Sequence, residues 1–223
     1  MSSASRADRL LAAARAAKGF MPDDEGLALA AVAERAGAGF SSVIEIGAYC
    51  GRSTLYLATG IARAAGWGAS GTVIFSVDHH HGSEENQAGW EHHDETLVDP
   101  ATGRMDTLPF WRSALEGAGA EDLAIAVVGD SPTVAARWNG SSGLVFIDGG
   151  HGNAPAWADY RGWAPRVAAG GWLAIHDVFP DPADGGRPPF EIYRRALESG
   201  AFSEESSAGT GSLRVLRRVA AGI

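Results

Sequence analysis

The feature that most constrains this chain is a series of five short, nearly unbroken apolar runs with helical spacing between them. The runs are SVIEIG (42–47), GTVIFSVD (71–78), LAIAVVGD (123–130), GLVFIDGG (143–150) and GWLAIHDV (171–178). Runs of that length without polar alternation read as strands buried on both faces. The stretches 52–66, 107–119, 131–138, 154–168 and 188–200 carry helical patterns. Strands alternating with helices imply an α/β fold with a doubly wound, mostly parallel sheet. At the C-terminus, FSEESSAG and GSLRVLRR can pair as an antiparallel hairpin, which brings the expected sheet to seven strands.

Two further helices are expected before the first strand, over 4–18 and 24–37. Leu10, Leu11, Ala14 and Lys18 keep helical spacing in one, and Leu27, Ala30, Ala31 and Glu34 in the other. Asp23 and Asp24 follow Pro22 as caps for the second. No repeat or linker interrupts the 223 residues, so one domain over 1–223 is expected, with 1–38 as an N-terminal helical pair. The net charge of −9, without a Lys/Arg stripe, argues against nucleic acid or an anionic membrane as partner. Cys50 is the only cysteine, which excludes an intrachain disulfide and a cysteine zinc site. The first residues lack the apolar core of a signal peptide and no 18-residue apolar run occurs, so a cytoplasmic protein is expected.

In parallel sheets of this kind ligands bind beyond the carboxyl ends of the strands. The informative residues are therefore Gly47–Gly51, Asp78–His81, Asp130–Ser131, Asp148–His151 and His176–Asp177; four of these five sites carry an acid. The first is a glycine loop, EIGAYCGRS. Counted from Gly47, a dinucleotide fingerprint would need glycine at Tyr49 and Arg52, so G-x-G-x-x-G fails twice, which disfavours a nicotinamide dehydrogenase. The loop also lacks the Gly-Lys-Ser/Thr of a phosphate loop. What is present is E-x-G-x-x-x-G.

With that loop and those acids the chain resembles the class I S-adenosylmethionine-dependent methyltransferases, over residues 40–218. The resemblance implies a Rossmann-like sheet and S-adenosyl-L-methionine as cofactor. The methionine half would lie along Glu45, Gly47, Ala48, Tyr49, Gly51 and Ser53, and the ribose on Asp78 beside His79. A carboxylate can accept both hydrogen bonds of a cis-diol. Asp130 and Ser131 fall where the family often contacts adenine, and Asp148 faces the reacting end.

One branch of that family, the catechol-type and macrocin-type O-methyltransferases, places a divalent cation beside the acceptor hydroxyl. Its ligands fall here on Asp148, His176 and Asp177, with Mg²⁺ the first expectation. The branch carries oxygen ligands at all three positions. His176 departs from that, and imidazole suits softer metals than Mg²⁺; orienting an aspartate from behind is its other reading. His151, three residues past Asp148, is the expected catalytic base, because an acceptor hydroxyl has to lose a proton and imidazole titrates near neutrality. A non-catalytic cofactor-binding module would need no such base.

The segment 79–106 is too long and polar for an ordinary connection. It reads either as a lid or acceptor loop, with Glu84, Asn86, Trp90 and His92 toward substrate, or as a solvated excursion. Asp181 and Arg187, after the fifth strand, are further candidates for acceptor contact. Loops carrying acids and amides favour a hydroxyl-rich small molecule or oligosaccharide. The stretches VIEIGAYCGRSTLYL, VDHHHGSEENQ and IHDVFPDPADGG resemble an actinobacterial sugar O-methyltransferase group associated with methylmannose polysaccharide, which implies a mannoside acceptor. A phenolic or macrolide-sugar hydroxyl is the competing acceptor. The N-terminal helices either cover the cofactor or form a homodimer face, and the sequence does not choose.

Overall fold

The computed structural model describes residues 4–65, 71–87, 89–90, 93–181, 183 and 186–220. Two helices come first, α1 (Arg6–Ala16) and α2 (Asp23–Gly39). The alternating part follows: β1 (Ser42–Ile46), α3 (Arg52–Ala65), β2 (Val73–Asp78), the short ribbon β3 (Val98–Asp99) and β4 (Arg104–Met105), α4 (Leu108–Ala118), β5 (Ala124–Val128), α5 (Ser131–Ala135), β6 (Ser142–Ile147), α6 (Asn153–Trp163) and β7 (Val167–Ile175). The chain closes with α7 (Arg187–Glu198), β8 (Phe202–Glu204) and β9 (Arg214–Arg218).

Seven strands form one sheet in the order β5-β2-β1-β6-β7-β9-β8. The first five strands in that order run parallel, and β9 and β8 extend the β7 side as an antiparallel pair. The expected α/β sheet with its terminal hairpin is therefore present. Strand order reverses between β1 and β6, which is where a doubly wound sheet opens a crevice. Register sets that crevice. Ile46 pairs with Val77 and with Ile147, and Ile147 pairs with Ile175. The next residues, Gly47, Asp78, Asp148 and His176, consequently emerge side by side along one rim.

Both faces of the sheet are covered. Leu29, Val32, Leu55, Tyr56 and Leu57 from α2 and α3 pack on one, and Tyr160, Trp163, Ile192 and Ala196 from α6 and α7 on the other. Fully burying each large apolar side chain stabilises the fold by about 1.5–3 kcal/mol. The buried stripe of α2 is rotated from the one expected. It runs through Glu25, Leu29, Val32, Ala33 and Ala36, whereas Leu27, Ala31 and Glu34 lie off it. A carboxylate therefore lies on an apolar stripe.

Two further differences bear on the site. The strand expected over 171–178 begins at Val167 and ends at Ile175, because Asp177 takes a positive φ of 56° that turns the chain out of the sheet. The polar segment 79–106 is locally built. It contains two 3₁₀ turns (Glu84–Asn86 and Glu95–Leu97) and the β3–β4 ribbon, and Leu97 and Met105 pack with Cys50 beneath it. Among the described residues no helix is long and apolar enough to cross a membrane.

Candidate functional site

A cavity of about 1140 Å³ opens over the rim where β1 and β6 part. Ordinary single-ligand pockets are about 300–1,000 Å³, so there is room for a nucleotide-sized cofactor and part of an acceptor. Its floor is the glycine loop. Gly47 has a φ of +86°, and a Cβ there would lie 2.1 Å from the Asp148 carbonyl oxygen, so only glycine permits β1 and β6 to meet at that point. The described non-glycine residues with positive φ are Tyr49, His80 and Asp177, which follow β1, β2 and β7 at this rim. Such conformations cost about 1–3 kcal/mol each and cluster where function requires them.

Asp78 organises the loop. Its Oδ2 accepts from the amides of Ala48 and Tyr49, both at 2.9 Å, and its Oδ1 from the amide of His80 at 2.7 Å. A carboxylate has about four acceptor positions, so the one left, on Oδ1, is available for a ribose hydroxyl. Asp130 caps α5 by accepting from the Thr133 amide and hydroxyl.

Of the residues expected to hold the cofactor, Gly47, Ala48, Tyr49, Ser53, Asp78, His79, Asp130, Ser131 and Asp148 line the cavity. Glu45 and Gly51 do not. Glu45 is wholly buried behind the loop, accepting from Thr54 and Ser76 hydroxyls at 2.6 Å, and burial pushes its carboxyl up to about 7. Gly51 packs against Trp111 and Leu115 of α4. Both support the loop from below.

At the other end, Asp148, His151, His176 and Asp177 all face the cavity. His151 Nε2 lies 2.7 Å from Asp177 Oδ2. His176 was expected among metal ligands. Instead its Nε2 lies 2.5 Å from Glu25 Oε2, and its Nδ1 lies 3.0 Å from Asp148 Oδ1 and 3.1 Å from Asp177 Oδ2. Carboxylate oxygens only accept, so both nitrogens of His176 donate and neither has a lone pair for a metal. Burial alone would strip its proton, yet the carboxylates around it outweigh that and hold it charged well above the usual imidazole range. Burial likewise opposes ionisation of Asp177, but hydrogen bonds from His151 and His176 win and keep its carboxyl far below the ordinary range. For Asp148 burial dominates and the carboxyl moves up.

The side chains that converge as a possible cation site are instead Asp148, His151 and Asp177, each offering one ligand atom within 4.8 Å of the others. Two carboxylate oxygens suit a hard divalent cation, and the imidazole widens the choice toward Mn²⁺ or Zn²⁺. The donor set therefore fits a metal, with His176 in an orienting position behind it.

Of the residues expected to touch an acceptor, Glu84, Asn86 and Trp90 line the cavity, and Trp90 is 60% exposed. His92 lies outside the described residues. Asp181 and Arg187 do not reach the cavity. Asp181 accepts from the Ala183 amide in its own turn, and Arg187 pairs with Glu191 one turn along α7. Phe179 takes their place in the wall.

Three groups of lining residues had no expectation attached. The first is Glu25, whose Oε1 accepts from the Ser212 amide at 2.5 Å. The second is Asp159 on α6. The third is the connector between α1 and α2, including Lys18, Phe20 and Met21. Arg52 clamps that connector by donating to the carbonyls of Met21 and Ala17, and Lys18 donates to Asp94 and Thr96 in the polar segment. Asp159 falls at helical spacing with the buried Ala156, Tyr160 and Trp163 of α6, which is a sequence signal; Glu25 lies off the stripe expected for α2 and shares its buried face with Leu29, Val32 and Ala36.

A family model described as a methyltransferase domain matches residues 44–178. Solved structures of similar fold include an O-methyltransferase from Bacillus cereus in complex with SAH (16% identity, TM-score 0.62, covering 99% of this chain and 93% of that one). Another is the O-methyltransferase TomG from Streptomyces achromogenes, involved in tomaymycin synthesis and solved with SAM (15% identity, TM-score 0.60, covering 98% and 92%). A third is a putative O-methyltransferase from Klebsiella pneumoniae (14% identity, TM-score 0.59, covering 99% and 92%).

Proposed function

This chain belongs to the methyltransferase-domain family, and on that premise we propose that it moves the methyl group of S-adenosyl-L-methionine onto a hydroxyl of a sugar or related polyol. The observation that carries this reading is the His151–Asp177 pair at 2.7 Å, beside Asp148 and at the end of a cavity whose floor is the glycine loop.

The chemistry is an in-line displacement. The acceptor oxygen attacks the methyl carbon, the carbon–sulfur bond breaks and its electron pair returns to sulfur. The sulfonium methyl needs no activation, whereas the hydroxyl must lose its proton. Asp177 Oδ2 faces His151 Nε2 and orients the imidazole that receives that proton. Asp177 then stabilises the imidazolium that forms. The methionine end lies along Gly47–Ser53, and Asp78 accepts from a ribose hydroxyl.

A divalent cation, Mg²⁺ in the first instance, would be held by Asp148 and Asp177 and would lower the pKa of an acceptor hydroxyl bound to it. His176 keeps both carboxylates in place from behind.

The polar lining, with Glu84 and Asn86 in the same cavity wall as His151, supports a hydroxyl-rich substrate, and the sequence likeness to the methylmannose group favours a mannoside of polysaccharide synthesis. The exposed rings of Phe20 and Trp90 favour the second reading, a phenolic or macrolide-sugar acceptor. Transfer of labelled methyl from S-adenosylmethionine across a panel of mannosides, other sugars and phenols separates the two. Label on a sugar hydroxyl supports the first reading, and label confined to phenols replaces it with the second.

A further inference from the structure

Asp159 is a buried carboxylate that the mechanism does not use. It lies on the inner face of α6, 3% exposed, and lines the cavity. One oxygen is tied to Ser131. The Trp163 indole donates to Ser131 Oγ at 2.8 Å, so the Ser131 hydroxyl hydrogen is directed to Asp159 Oδ1, 2.5 Å away. The other oxygen, Oδ2, accepts no hydrogen bond from a described residue. It abuts the backbone of Gly149, where a Cβ would come within 2.5 Å of it. A side chain at 149 would close off Oδ2, and glycine leaves it open to the cavity.

Oδ2 is reached from the cavity, so a ligand that brings an N–H there gains a charge-assisted hydrogen bond inside a largely buried site. S-adenosylmethionine has two such groups, the ammonium of its methionine end and the amino group of its adenine. The methyl must face His151, which places the methionine end along Gly47–Ser53 beside Asp148, with the ribose on Asp78. Adenine therefore falls beyond Asp78, toward Asp130 and Ser131 after β5. Asp159 is tied to Ser131 in that same loop.

We propose that Asp159 is a specificity-determining residue that accepts a hydrogen bond from the exocyclic amino group of the cofactor's purine. The proposal rests on the cofactor reading above. Asp130, the acid that the sequence points to for this role, is exposed and spends its Oδ2 on capping α5. A carboxylate rewards an amino group and repels a carbonyl at the same ring position, so a 6-oxopurine cofactor is disfavoured. Burial raises the Asp159 carboxyl to about 6, with Asp130 and Asp78 adding to the effect and the Ser131 hydroxyl opposing it. Below that pH the protonated acid can donate to a 6-oxo group, and the preference shrinks.

The test is calorimetry of the full chain with S-adenosylhomocysteine and with S-inosylhomocysteine, which carries a 6-oxo group. The expected result is binding of the adenosyl compound at least about 100-fold tighter at neutral pH, more than an apolar pocket achieves and toward the roughly 10⁴-fold of sites that hydrogen-bond the discriminating group. In Asp159→Asn the amide can donate to the 6-oxo group, so the gap narrows to within about 10-fold. A second measurement needs no variant: the wild-type preference falls between about pH 8 and about pH 5. Equal binding of both compounds by the wild type overturns the proposal, as does an undiminished preference in Asp159→Asn or at low pH. Those results leave the cofactor reading standing, whereas binding of neither compound overturns both.

Discussion

Glu25 Oε2 and His176 Nε2 lie 2.5 Å apart, although 151 residues separate them in the chain. Through this contact α2 reaches into the site. Glu25 holds the ring from one side, and the ring's other nitrogen faces Asp148 and Asp177. The start of α2 is therefore part of the cavity wall. Removing one partner of a buried ion pair costs about 3–5 kcal/mol, because the other charge is left alone. Glu25→Ala is expected to lower stability by that amount in denaturant titration. Glu25→Gln, which keeps shape and a hydrogen bond, is expected to retain S-adenosylhomocysteine binding while turnover falls about 10-fold.

The pH dependence of that pair has a defined sign. Glu25 has a carboxyl lowered from 4.5; although burial opposes ionisation, the hydrogen bond from His176 outweighs it. Its contribution is present above about 4.5 and is lost as pH falls through the folded-state value. His176 is raised from 6.5, so its contribution is full below about 6.5 and is lost as pH rises through its folded value. The stability difference between wild type and His176→Gln should accordingly be largest between about pH 5 and about pH 6.5, read from denaturant midpoints across pH. A difference that is flat from acid to alkaline pH contradicts this.

Glu45 behaves oppositely to an ordinary surface acid. Its pKa rises from 4.5 to about 7 on folding because of burial. Folding then favours the protonated form, so stability falls as pH rises from about 4.5 through about 7. One pKa unit is worth about 1.4 kcal/mol, which puts the loss on the order of 3 kcal/mol by pH 8. Glu45→Gln is expected to remove most of that slope in thermal melts and to be at least as stable as wild type at pH 8.

Lys18 is the only lysine of the chain, and its Nζ joins the α1–α2 connector to Asp94 and Thr96 at 2.5 and 2.8 Å. The pair is partly exposed, so it contributes at most about 1 kcal/mol. Lys18→Ala should therefore raise the acceptor KM about 2- to 5-fold by loosening that edge of the cavity, with S-adenosylhomocysteine affinity unchanged by calorimetry. An unchanged KM would remove the 79–106 segment from the acceptor wall.

The parts of this account that were legible in the sequence were those governed by local pattern. Five apolar runs and their helical partners lead to the parallel sheet, and the rule that ligands bind at strand ends leads to Gly47, Asp78, Asp148 and His151. What stayed hidden depends on which way a side chain turns. Glu45 sits in the motif but points beneath the loop, into Thr54 and Ser76. Asp181 and Arg187 follow β7 as a wall residue would, yet partners in their own segment draw them outward. His176 was ambiguous from sequence because its role depends on Glu25, whose approach exists only once α2 has packed. Asp159 falls at helical spacing with Ala156, Tyr160 and Trp163, a violation of pattern of the kind that marks functional positions, whereas Glu25 stayed hidden because the α2 stripe was expected along Leu27, Ala30, Ala31 and Glu34.

The most direct measurement of the central claim is His151→Ala, assayed in parallel for S-adenosylhomocysteine affinity and for labelled-methyl transfer to the best acceptor. With His151 as the base, affinity stays within about 2-fold while kcat falls about 10²- to 10⁴-fold at neutral pH. Near-normal transfer by His151→Ala would contradict the account, because the proton would then leave by a route that the His151–Asp177 pair does not provide.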